Sequence, residues 1–401
     1  MRKGWEVKRL GEICSLDTGG TPSRSKPQYF NKGNIKWLVS GDIHKKEIFD
    51  CEGRITEEGM QNSNAKYLPL NSVLIALNGQ GITRGSVALL RTKATCNQSL
   101  VSIIPKNINY LIPEYLYCNL HGRYDEIRRM TGDAGNERRG LNMPLIRGIE
   151  ISIPSLHEQK RIVSFLGETF AAIDKAKSNV QRNLQNAREL FESYLENIFE
   201  NMNEDWQMKR LADITEVKDG THDSPKYIKD GIPFVTQKNI KETGLTLVDT
   251  QFITNEDHEK FYKRSNVTYG DIIISMIGAN RGMTCIVDDR KIFSIKNVGL
   301  IKQSENINQN YLLYYLKTPK AKEYVKESSN GGAQEFVGLT ALRNFPIIVA
   351  PKKRQNTIVS NLNALSTETN KLKSIYQQKL KDLEELKKSI LQKAFAGELT
   401  K

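Results

Sequence analysis

The sequence predicts an α+β protein in which two similar globular domains are separated by two long helices that form an antiparallel coiled coil, with a pseudo-twofold internal repeat. Two stretches carry one heptad pattern, and a series of short motifs occurs twice in the same order. These observations divide the chain into module 1 (residues 1–153), a first long helix (154–202), module 2 (203–350) and a second long helix (351–401).

The two helical stretches share a heptad register. In the second stretch, apolar or tolerated residues recur every seven positions, with a shorter second row beside them: Leu362, Thr369, Tyr376, Leu383 and Ile390, then Leu365, Leu372 and Leu386. The first stretch has the same spacing: Leu166, Ile173, Val180, Ala187 and Tyr194. A period of 3.5 that lasts this long predicts a coiled-coil seam. Two unrelated amphipathic helices are the alternative, but the two stretches also begin and end alike.

The modules repeat each other motif by motif, at a separation of about 200 residues. WEVKRLGEI at Trp5 returns as WQMKRLADI at Trp206, and a turn follows each. Short apolar runs then predict strands, of which the clearest pair is VLIAL at Val73 and DIIISMI at Asp271. Each module continues with a tyrosine-containing helix, a polar stretch rich in glycine and a last strand before its long helix. Most residues between these motifs differ, which indicates one scaffold with two different surfaces.

The chain order predicts how the helices run. Module 2 follows the first helix closely and leads directly into the second, so it must lie beside the end of one and the start of the other. A helix of about 40 residues is roughly 60 Å long, so only an antiparallel pair brings those ends together. We expect a dumbbell with the modules at opposite ends of the coiled coil and the chain termini close together.

Composition narrows the class of protein. Apolar residues make up 38% of the 401 and charged residues 26%, with a net charge of +13. No apolar run is long enough for a signal peptide or a membrane span, so a cytoplasmic protein is expected. The five cysteines form no CxxC pair, which argues against a zinc site or a disulfide framework. A basic balance suits a polyanion partner, although a solvated surface would also explain it.

Catalytic motifs are missing from the sequence. The segment GQGITRG at Gly79 lacks the spacing of a phosphate-binding loop, and a glycine turn with an outward-facing arginine is the simpler interpretation. The EVK triplets at Glu6 and Glu216 are part of a nuclease-like pattern but do not correspond in the repeat. No adenine-methylation motif, nucleophile elbow or zinc motif occurs. We therefore predict a chain without a catalytic centre or a metal site.

What remains is a set of basic and amide side chains in the loops of both modules. Arginine and lysine neutralise phosphates or bind guanine, and asparagine and glutamine bind adenine in the major groove. For each residue a solvated surface position is the alternative. The candidates for DNA binding are Arg24, Lys26, Lys45, Lys46, Arg84, Arg128, Arg129, Arg138 and Arg139 in module 1, and His222, Lys226, Lys238, Asn239, Asn280, Arg281, Asn330 and Gln334 in module 2.

With these motifs in this order, the chain resembles the specificity subunit of type I restriction-modification systems over its full length. The resemblance rests on WEVKRLGEI, the GGTPS and DGTHDSP turns, IPSLHEQKRIVSFL, the closing LKKSILQKAFAGEL and the duplicated layout. One departure is that the second helix begins KKRQNTIV, without the acidic residue before glutamine.

The resemblance implies a non-catalytic subunit that recognises DNA. Each module would be a target recognition domain for one half of a split, asymmetric sequence, and the helices would set the spacer between the halves. The implied partners are double-stranded DNA, two methyltransferase subunits that use S-adenosylmethionine, and restriction subunits that use ATP and Mg²⁺; this chain would hold no cofactor. A self-contained enzyme is a rival that lacks its motifs, and a coiled-coil adaptor that never binds DNA is the stronger one.

Overall fold

The computed structural model describes residues 4–131, 140–278, 280–330 and 335–399. These residues form two compact units. Unit 1 consists of Met1–Val180 with Gln378–Lys401, and unit 2 of Gln181–Gln377. Each unit therefore contains one globular module together with a segment of each long helix. The predicted α+β class, with two similar domains and two long helices, is confirmed.

Module 1 is built from short strands around a small number of helices, and it leads into the first long helix. Its strands are β1 (Glu6–Arg9), β2 (Cys14–Thr18), β3 (Ile35–Leu38), β4 (Glu47–Ile48), β5 (Arg54–Ile55), β6 (Val73–Ala76), β7 (Val87–Leu90), β8 (Thr95–Cys96), β9 (Leu100–Pro105) and β10 (Glu150–Ile153). Its helices are α1 (Leu10–Ile13), α2 (Glu57–Gln61), α3 (Pro113–Gly122), α4 (Tyr124–Arg129) and α5 (Met143–Arg147), followed by the long helix α6 (Leu156–Glu200).

Module 2 repeats this plan, and its described residues include a hairpin near its end. Its strands are β11 (Gln207–Arg210), β12 (Val217–Asp219), β13 (Ile232–Val235), β14 (Ile240–Lys241), β15 (Gly244–Leu245), β16 (Gln251–Ile253), β17 (Ile272–Ser275), β18 (Thr284–Ile286), β19 (Ser294–Ile295), β20 (Val298–Ile301), β21 (Ser329–Asn330), β22 (Phe336–Val337) and β23 (Pro346–Val349). Its helices are α7 (Asn255–Ser265), α8 (Gln309–Leu316), α9 (Pro319–Glu327) and α10 (Leu339–Arg343), and the long helix α11 (Lys352–Ala396) follows.

The sheets show the same topology twice. In module 1 the main sheet has the order β2-β9-β6-β7-β4, and in module 2 it has the order β12-β20-β17-β18. A smaller sheet, β5-β3-β8 or β16-β13-β19, combines one antiparallel and one parallel pairing in each module. The first and last strands of each module also pair, β1 with β10 and β11 with β23. The internal repeat in the sequence is therefore a repeat of strand order over four strands, with β4 as an additional edge strand in module 1.

The central strand of each main sheet is buried on both faces, which explains its continuous apolar sequence. Val73 and Ile75 of β6 pack into the core beneath α3, whereas Leu74 packs into a second core on the opposite face. In module 2, Ile272 and Ile273 of β17 belong to different cores in the same way. Each main sheet thus holds two apolar layers together.

The long helices run antiparallel in unit 1, as predicted. Lys387 Nζ lies 3.7 Å from Asp174 Oδ1, and further along α6, Lys177 pairs with Glu384, which comes earlier in α11. The direction of one helix therefore opposes that of the other. Leu391 of α11 packs into the same core as α6 and module 1.

Unit 2 is assembled from helix segments in a corresponding way. Leu195 and Phe199, near the end of α6, share one core with Ile358 and Leu362, near the start of α11. This core also contains Trp206 from the beginning of module 2. Each unit therefore contains the first part of the long helix that follows its module and the last part of the other long helix.

The predicted seam is only partly buried. Leu166, Ile173, Ala187, Leu362 and Thr369 are buried, and Val180, Leu365, Tyr376, Leu383 and Ile390 are partly buried. The prediction is corrected at three positions that are exposed: Tyr194, Leu372 and Leu386. A straight α-helix drifts about 20° per heptad from a 3.5-residue repeat, so the buried stripe passes from Tyr194 to Leu195 after four heptads. Leu372 and Leu386 lie in the second row, beside the single buried stripe of α11.

A buried glutamine fixes module 1 to the start of α6. Gln159 is fully buried, and its Nε2 donates to the carbonyl oxygens of Tyr110 at 2.8 Å and Pro154 at 3.0 Å. Its Oε1 accepts a hydrogen bond from Ile112 N at 3.0 Å. One side chain therefore satisfies two backbone groups in the segment before α3 and one just before α6. This fixes the orientation of module 1 relative to α6.

The same device recurs in module 2, but a neighbouring contact does not. Gln355 is buried and bonds Asn308 N and the carbonyl oxygen of Ala350, each at 2.7 Å. In unit 1, Trp5 Nε1 also donates to Glu158 Oε2 at 3.1 Å. The corresponding Trp206 Nε1 is buried without an acceptor among the described residues, and Arg354 occupies the position that matches Glu158. The departure in KKRQNTIV thus removes one hydrogen bond and keeps the glutamine.

Candidate nucleic-acid interface

In module 1 the candidate site forms around the glycine loop, residues 77–85, which connects β6 to β7. Gly79, Gly81 and Gly85 have φ angles of 141°, 60° and 82°, a region that favours glycine. At Gly79 a Cβ atom would also lie 2.5 Å from Thr83 Cβ. Backbone N–H groups are used inside the loop, since Thr83 N donates to the carbonyl oxygen of Gln80 at 3.2 Å. These features support the interpretation as a fixed glycine turn and argue against a phosphate-binding loop.

Two other elements hold the glycine loop of module 1. Arg128 of α4 donates through Nη1 to the carbonyl oxygen of Gly81 at 2.5 Å and to Tyr124 Oη at 2.5 Å. From the 3₁₀ turn Ser40–Lys45, His44 Nε2 lies 3.0 Å from Thr83 Oγ1. The loop therefore gathers predicted candidates from three parts of the chain: Lys45, Lys46, Arg84, Arg128 and Arg129.

Two of these candidates have structural constraints of their own. Lys45 pairs with Asp42 at 2.9 Å and donates to the carbonyl oxygen of Asp50 at 2.8 Å. The hydrogen bond with Asp42 raises the pKa of Lys45 above its ordinary value. Lys46 is exposed and has a φ of 62°. Lys45 therefore stabilises the turn, while Lys46 extends from it.

Module 2 builds a corresponding site around the turn at residues 276–282. Gly278 N donates to the carbonyl oxygen of Glu335 at 3.3 Å, and Val337 N donates to that of Met276 at 2.8 Å. Gln237 Oε1 accepts a hydrogen bond from Ser275 Oγ at 3.3 Å, which brings the 3₁₀ turn Gln237–Asn239 to the same place. The predicted residues that meet here are Lys238, Asn280 and Arg281.

Arg281 is not the outward-facing arginine that the sequence suggested. Its guanidinium pairs with the Glu335 carboxylate and donates through Nη1 to the carbonyl oxygen of Gly278 at 3.1 Å. Only 16% of its side chain is exposed. Arg128 in module 1 instead donates to a carbonyl and a phenol oxygen, both of which are neutral. Arg281 therefore contacts a carboxylate, whereas the bonds described for Arg128 are to neutral oxygens.

Asn239 is a correction to the candidate set. Its side chain is buried, its Oδ1 accepts a hydrogen bond from Thr236 N at 2.9 Å, and its Nδ2 donates to the carbonyl oxygen of Thr246 at 3.2 Å. A buried amide with both ends bonded inside the fold is not available to a base. Asparagine in this position closes a 3₁₀ turn, which is one of its common local roles.

Other candidates lie on the loop after the first strand of each main sheet. Arg24 and Lys26 are exposed there in module 1, and Lys26 Nζ donates to Tyr29 Oη at 3.0 Å. In module 2, Lys226 is exposed, and His222 has both ring nitrogens engaged by side chains. The partners of His222 are Asn297 Oδ1 at 2.8 Å and Asp219 Oδ2 at 3.1 Å, so its ring belongs to a local network.

Part of the predicted set cannot be placed. Arg138, Arg139 and Gln334 lie outside the described residues. Asn330 lies in β21 and pairs with Phe336 of β22. These two strands place the polar stretch of module 2 beside its glycine turn, because an isolated bridge joins Phe336 to Ile277.

Sequence reasoning missed several residues of these sites. His44 and Glu335 contact the two turns, Gln237 bonds Ser275 at the end of β17, and Tyr124 accepts a hydrogen bond from Arg128. Ile82 lies at the tip of the glycine loop with 67% exposure. An isoleucine within a glycine-rich turn was the one signal available in the sequence. The other residues approach from distant segments, which no local pattern reveals.

In the described ranges no group of three or more His, Cys, Asp or Glu side chains could hold a metal ion. Burial raises the pKa of the Cys14, Cys96 and Cys285 thiols to about 12, which keeps them protonated. Within the same described ranges, no helix combines the length and the apolar character needed to cross a membrane.

Comparison with known proteins gives a consistent family. The profile described as the type I restriction modification DNA specificity domain matches residues 2–182 and again 203–384. The MjaIX specificity subunit of Methanocaldococcus jannaschii is 26% identical over 373 residues, which cover 87% of this chain and 84% of the relative. The EcoR124I/EcoR124II specificity subunit of Escherichia coli is 28% identical over 195 residues, and this match spans 48% of each chain.

Solved structures show the same fold. A chain from a structure concerned with complex assembly and conformational transition of the type I R-M system superimposes with a TM-score of 0.81 at 19% identity, covering 100% of this chain and 99% of the other. The HsdS subunit of Thermoanaerobacter tengcongensis gives 0.63 at 19% identity, covering 100% and 98%. With the family profile matching both halves of the sequence, the chain belongs to the type I restriction-modification DNA specificity family.

Proposed function

We propose that this chain recognises a split, asymmetric sequence in double-stranded DNA, with module 1 (1–153) reading one half and module 2 (203–350) the other. The observation that carries this is the candidate interface itself. Two modules of one topology present different polar and basic side chains around the same glycine turn. A shared scaffold supports a similar approach to DNA, and different side chains support recognition of different bases.

We further propose that the long helices (154–202 and 351–401) set the length of the unread spacer. Each comprises 45 residues, which corresponds to about 68 Å of α-helix. One turn of duplex DNA is about 34 Å long, so helices of this length can span half-sites that lie a turn apart. The buried glutamines support this role because they fix each module to the start of its own helix.

The proposal extends to the partners and to the place of action. The chain joins two methyltransferase subunits, which bring S-adenosylmethionine, and restriction subunits, which bring ATP and Mg²⁺. Family membership supports a chain that holds no cofactor of its own. The complex acts on DNA in the cytoplasm. The adaptor alternative, a coiled coil that never binds DNA, is not favoured by membership in a DNA specificity family.

The first test is a genome-wide map of N6-methyladenine in the host, with and without this gene. We expect methylation at one split motif to disappear when the gene is deleted. Exchange of residues 1–153 for the corresponding module of another family member should then change one half of that motif and leave the other intact. A change in both halves would contradict independent reading by the modules.

The proposed role of the long helices in setting the spacer length has a separate test. Insertion of one whole heptad into both helices should lengthen the spacer of the methylated motif while both half-sites keep their sequence. An insertion of the same length in an exposed loop of module 2 is the control. If the heptad insertion altered a half-site sequence, the helices would be part of base recognition, and the proposal that they set only the spacer length would fail.

A further inference from the structure

Three consecutive residues at the tip of the glycine loop are anchored by different partners. The carbonyl oxygen of Gly81 accepts from Arg128 Nη1 at 2.5 Å, and that of Ile82 accepts from Ser86 Oγ at 2.6 Å. Thr83 Oγ1 lies 3.0 Å from His44 Nε2. These contacts come from helix α4, from the loop itself and from a 3₁₀ turn. The position of the loop tip is therefore fixed before any ligand binds.

The side chain at the centre of this anchored tip is apolar and exposed. Ile82 is 67% exposed, whereas Ile75, at the start of the same connection, is fully buried. A single exposed apolar residue is ordinary on a protein surface. Here, however, the backbone on both sides is held while the side chain adds little to the core. The exposed side chain is therefore held in a position where a ligand could contact it.

The surroundings of Ile82 identify the class of that contact. Lys46 and Arg129 are exposed beside the loop, and Arg128 donates only to neutral oxygens in the bonds described above. This arrangement favours a polyanion, and an apolar side chain among these cations needs an apolar group on the same ligand. On the base edges of the major groove that group is the C5-methyl of thymine.

Module 2 also presents an exposed apolar side chain beside its glycine turn, but from a different element. Its turn at residues 276–282 is shorter, and Phe336, 45% exposed, pairs with Ile277 beside it. Each candidate site therefore has an exposed apolar side chain beside its glycine turn, although the two residues lie on different elements.

We propose that Ile82 is a specificity-determining residue that packs against the C5-methyl group of a thymine in the half-site read by module 1. This inference rests on the proposed DNA-reading function and adds the base and the group that one side chain selects. It predicts a thymine at a defined position of that half-site. It also predicts that the methyl group contributes to binding independently of base pairing.

The test replaces thymine by deoxyuridine, which pairs in the same way and lacks only the methyl group. After the methylation map has given the motif, duplexes with single substitutions in the module 1 half-site are titrated with the full-length chain and its methyltransferase partners. At one position we expect binding about four-fold weaker, the effect of leaving one methyl group unburied. The remaining thymines should show smaller effects.

Protein variants connect that effect to Ile82. Ile82→Ala should bind the thymine duplex about four-fold more weakly and should no longer distinguish thymine from deoxyuridine. Ile82→Val should keep most of the discrimination. The matched control is Ile108→Ala, because Ile108 is 64% exposed in the same module, in the turn before α3, away from the glycine loop. This variant should behave as the wild type.

The outcomes separate this inference from the function on which it rests. If the wild type in complex with its partners showed no sequence preference, the proposed function would fail. Specific binding with no loss at any deoxyuridine, or a module 1 half-site without an A·T pair, would overturn only the thymine contact. Equal losses for Ile82→Ala on thymine and deoxyuridine duplexes would also overturn it, because they would assign Ile82 a general role.

Discussion

The two modules differ in the charges around their glycine turns and share a buried glutamine where each joins its long helix. Both keep a buried glutamine, Gln159 or Gln355, with its side-chain amide bonded to the module backbone. At the glycine turns, by contrast, Arg128 of module 1 binds neutral oxygens while Arg281 of module 2 is paired with Glu335. The comparison teaches that orientation on the helix is a common requirement and that surface charge is specific to each module.

The largest expected effect concerns the common part. Gln159→Leu should destabilise unit 1 by about 3 kcal/mol, because three buried backbone groups lose their partner. Gln355→Leu should destabilise unit 2 by about 2 kcal/mol, since two such bonds are lost. Hydrogen-exchange mass spectrometry in urea would measure each unit separately.

The exposed Gln378 provides the control for that pair. Gln378→Leu should change stability by less than about 0.5 kcal/mol, as is usual for surface positions. If either buried glutamine proved as tolerant as Gln378, it would not be the element that fixes module to helix.

A second difference between the units is acid sensitivity. His121, stacked on Tyr117, has its pKa lowered to about 4 by burial and by the nearby Lys387 and Lys46. The ordinary value is 6.5, so below pH 6.5 the unfolded chain binds a proton that the folded unit does not. Stability of unit 1 should therefore be intact above pH 6.5 and fall by up to about 3 kcal/mol as the pH drops to 4.

Module 2 has Lys317 at the position of His121, and its ordinary pKa of 10.5 lies far above this window. We therefore expect the component that comes from His121 in unit 1 only; in unit 2, burial lowers the pKa of a different histidine, His258. His121→Phe should keep the ring stacking and remove the component, as measured by hydrogen exchange of both units between pH 4 and 7. Unchanged acid sensitivity in this variant would assign it to other groups.

The arginines of the two turns provide a third contrast. Arg84→Ala should reduce the salt dependence of DNA binding by about one unit of slope, which is the loss of one phosphate contact. Arg281→Ala should change the slope by less than one unit, because Glu335 already neutralises that charge. Salt titrations on the motif and on unrelated DNA would test both. A larger effect at Arg281 would show that DNA displaces Glu335.

The smallest expected effect tests the difference at the start of the long helices. Arg354→Glu should stabilise unit 2 by about 1 kcal/mol, because it offers Trp206 Nε1 an acceptor and places an acidic side chain in the first turn of α11. Glu158→Ala in unit 1 is the converse change and should destabilise by a similar amount. Thermal unfolding followed by hydrogen exchange would detect both; a loss of stability in Arg354→Glu would contradict the assignment.

Much of this architecture could be predicted because it depends on residue patterns within short stretches of the sequence. The repeat, the long helices and the buried central strands follow from periodicity at residues such as Val73 and Leu166. The predicted role, a DNA-binding specificity subunit and not an enzyme, is confirmed by family membership. The seam was wrong at Tyr194 because a heptad count ignores the drift of a straight helix.

The candidate site was harder to predict from the sequence, because partners from distant segments decide which cationic side chain is available to a ligand. Glu335 neutralises Arg281 from a position 54 residues away, and Asn239 is enclosed by its own turn. The tip of the glycine loop depends on Arg128 and His44, which come from two other elements. Sequence patterns propose the residue types of such a surface, but the tertiary fold selects among them.

The division of the chain between the units has a consequence for its synthesis. Unit 2 is continuous in sequence, from Gln181 to Gln377, whereas the core of unit 1 needs Leu391 and Ala394 from the end of α11. On the ribosome, module 1 emerges first but stays without those side chains until nearly the whole chain has been translated, even though domains generally fold as units. Completion of the first module to be made thus reports that the second has already been translated.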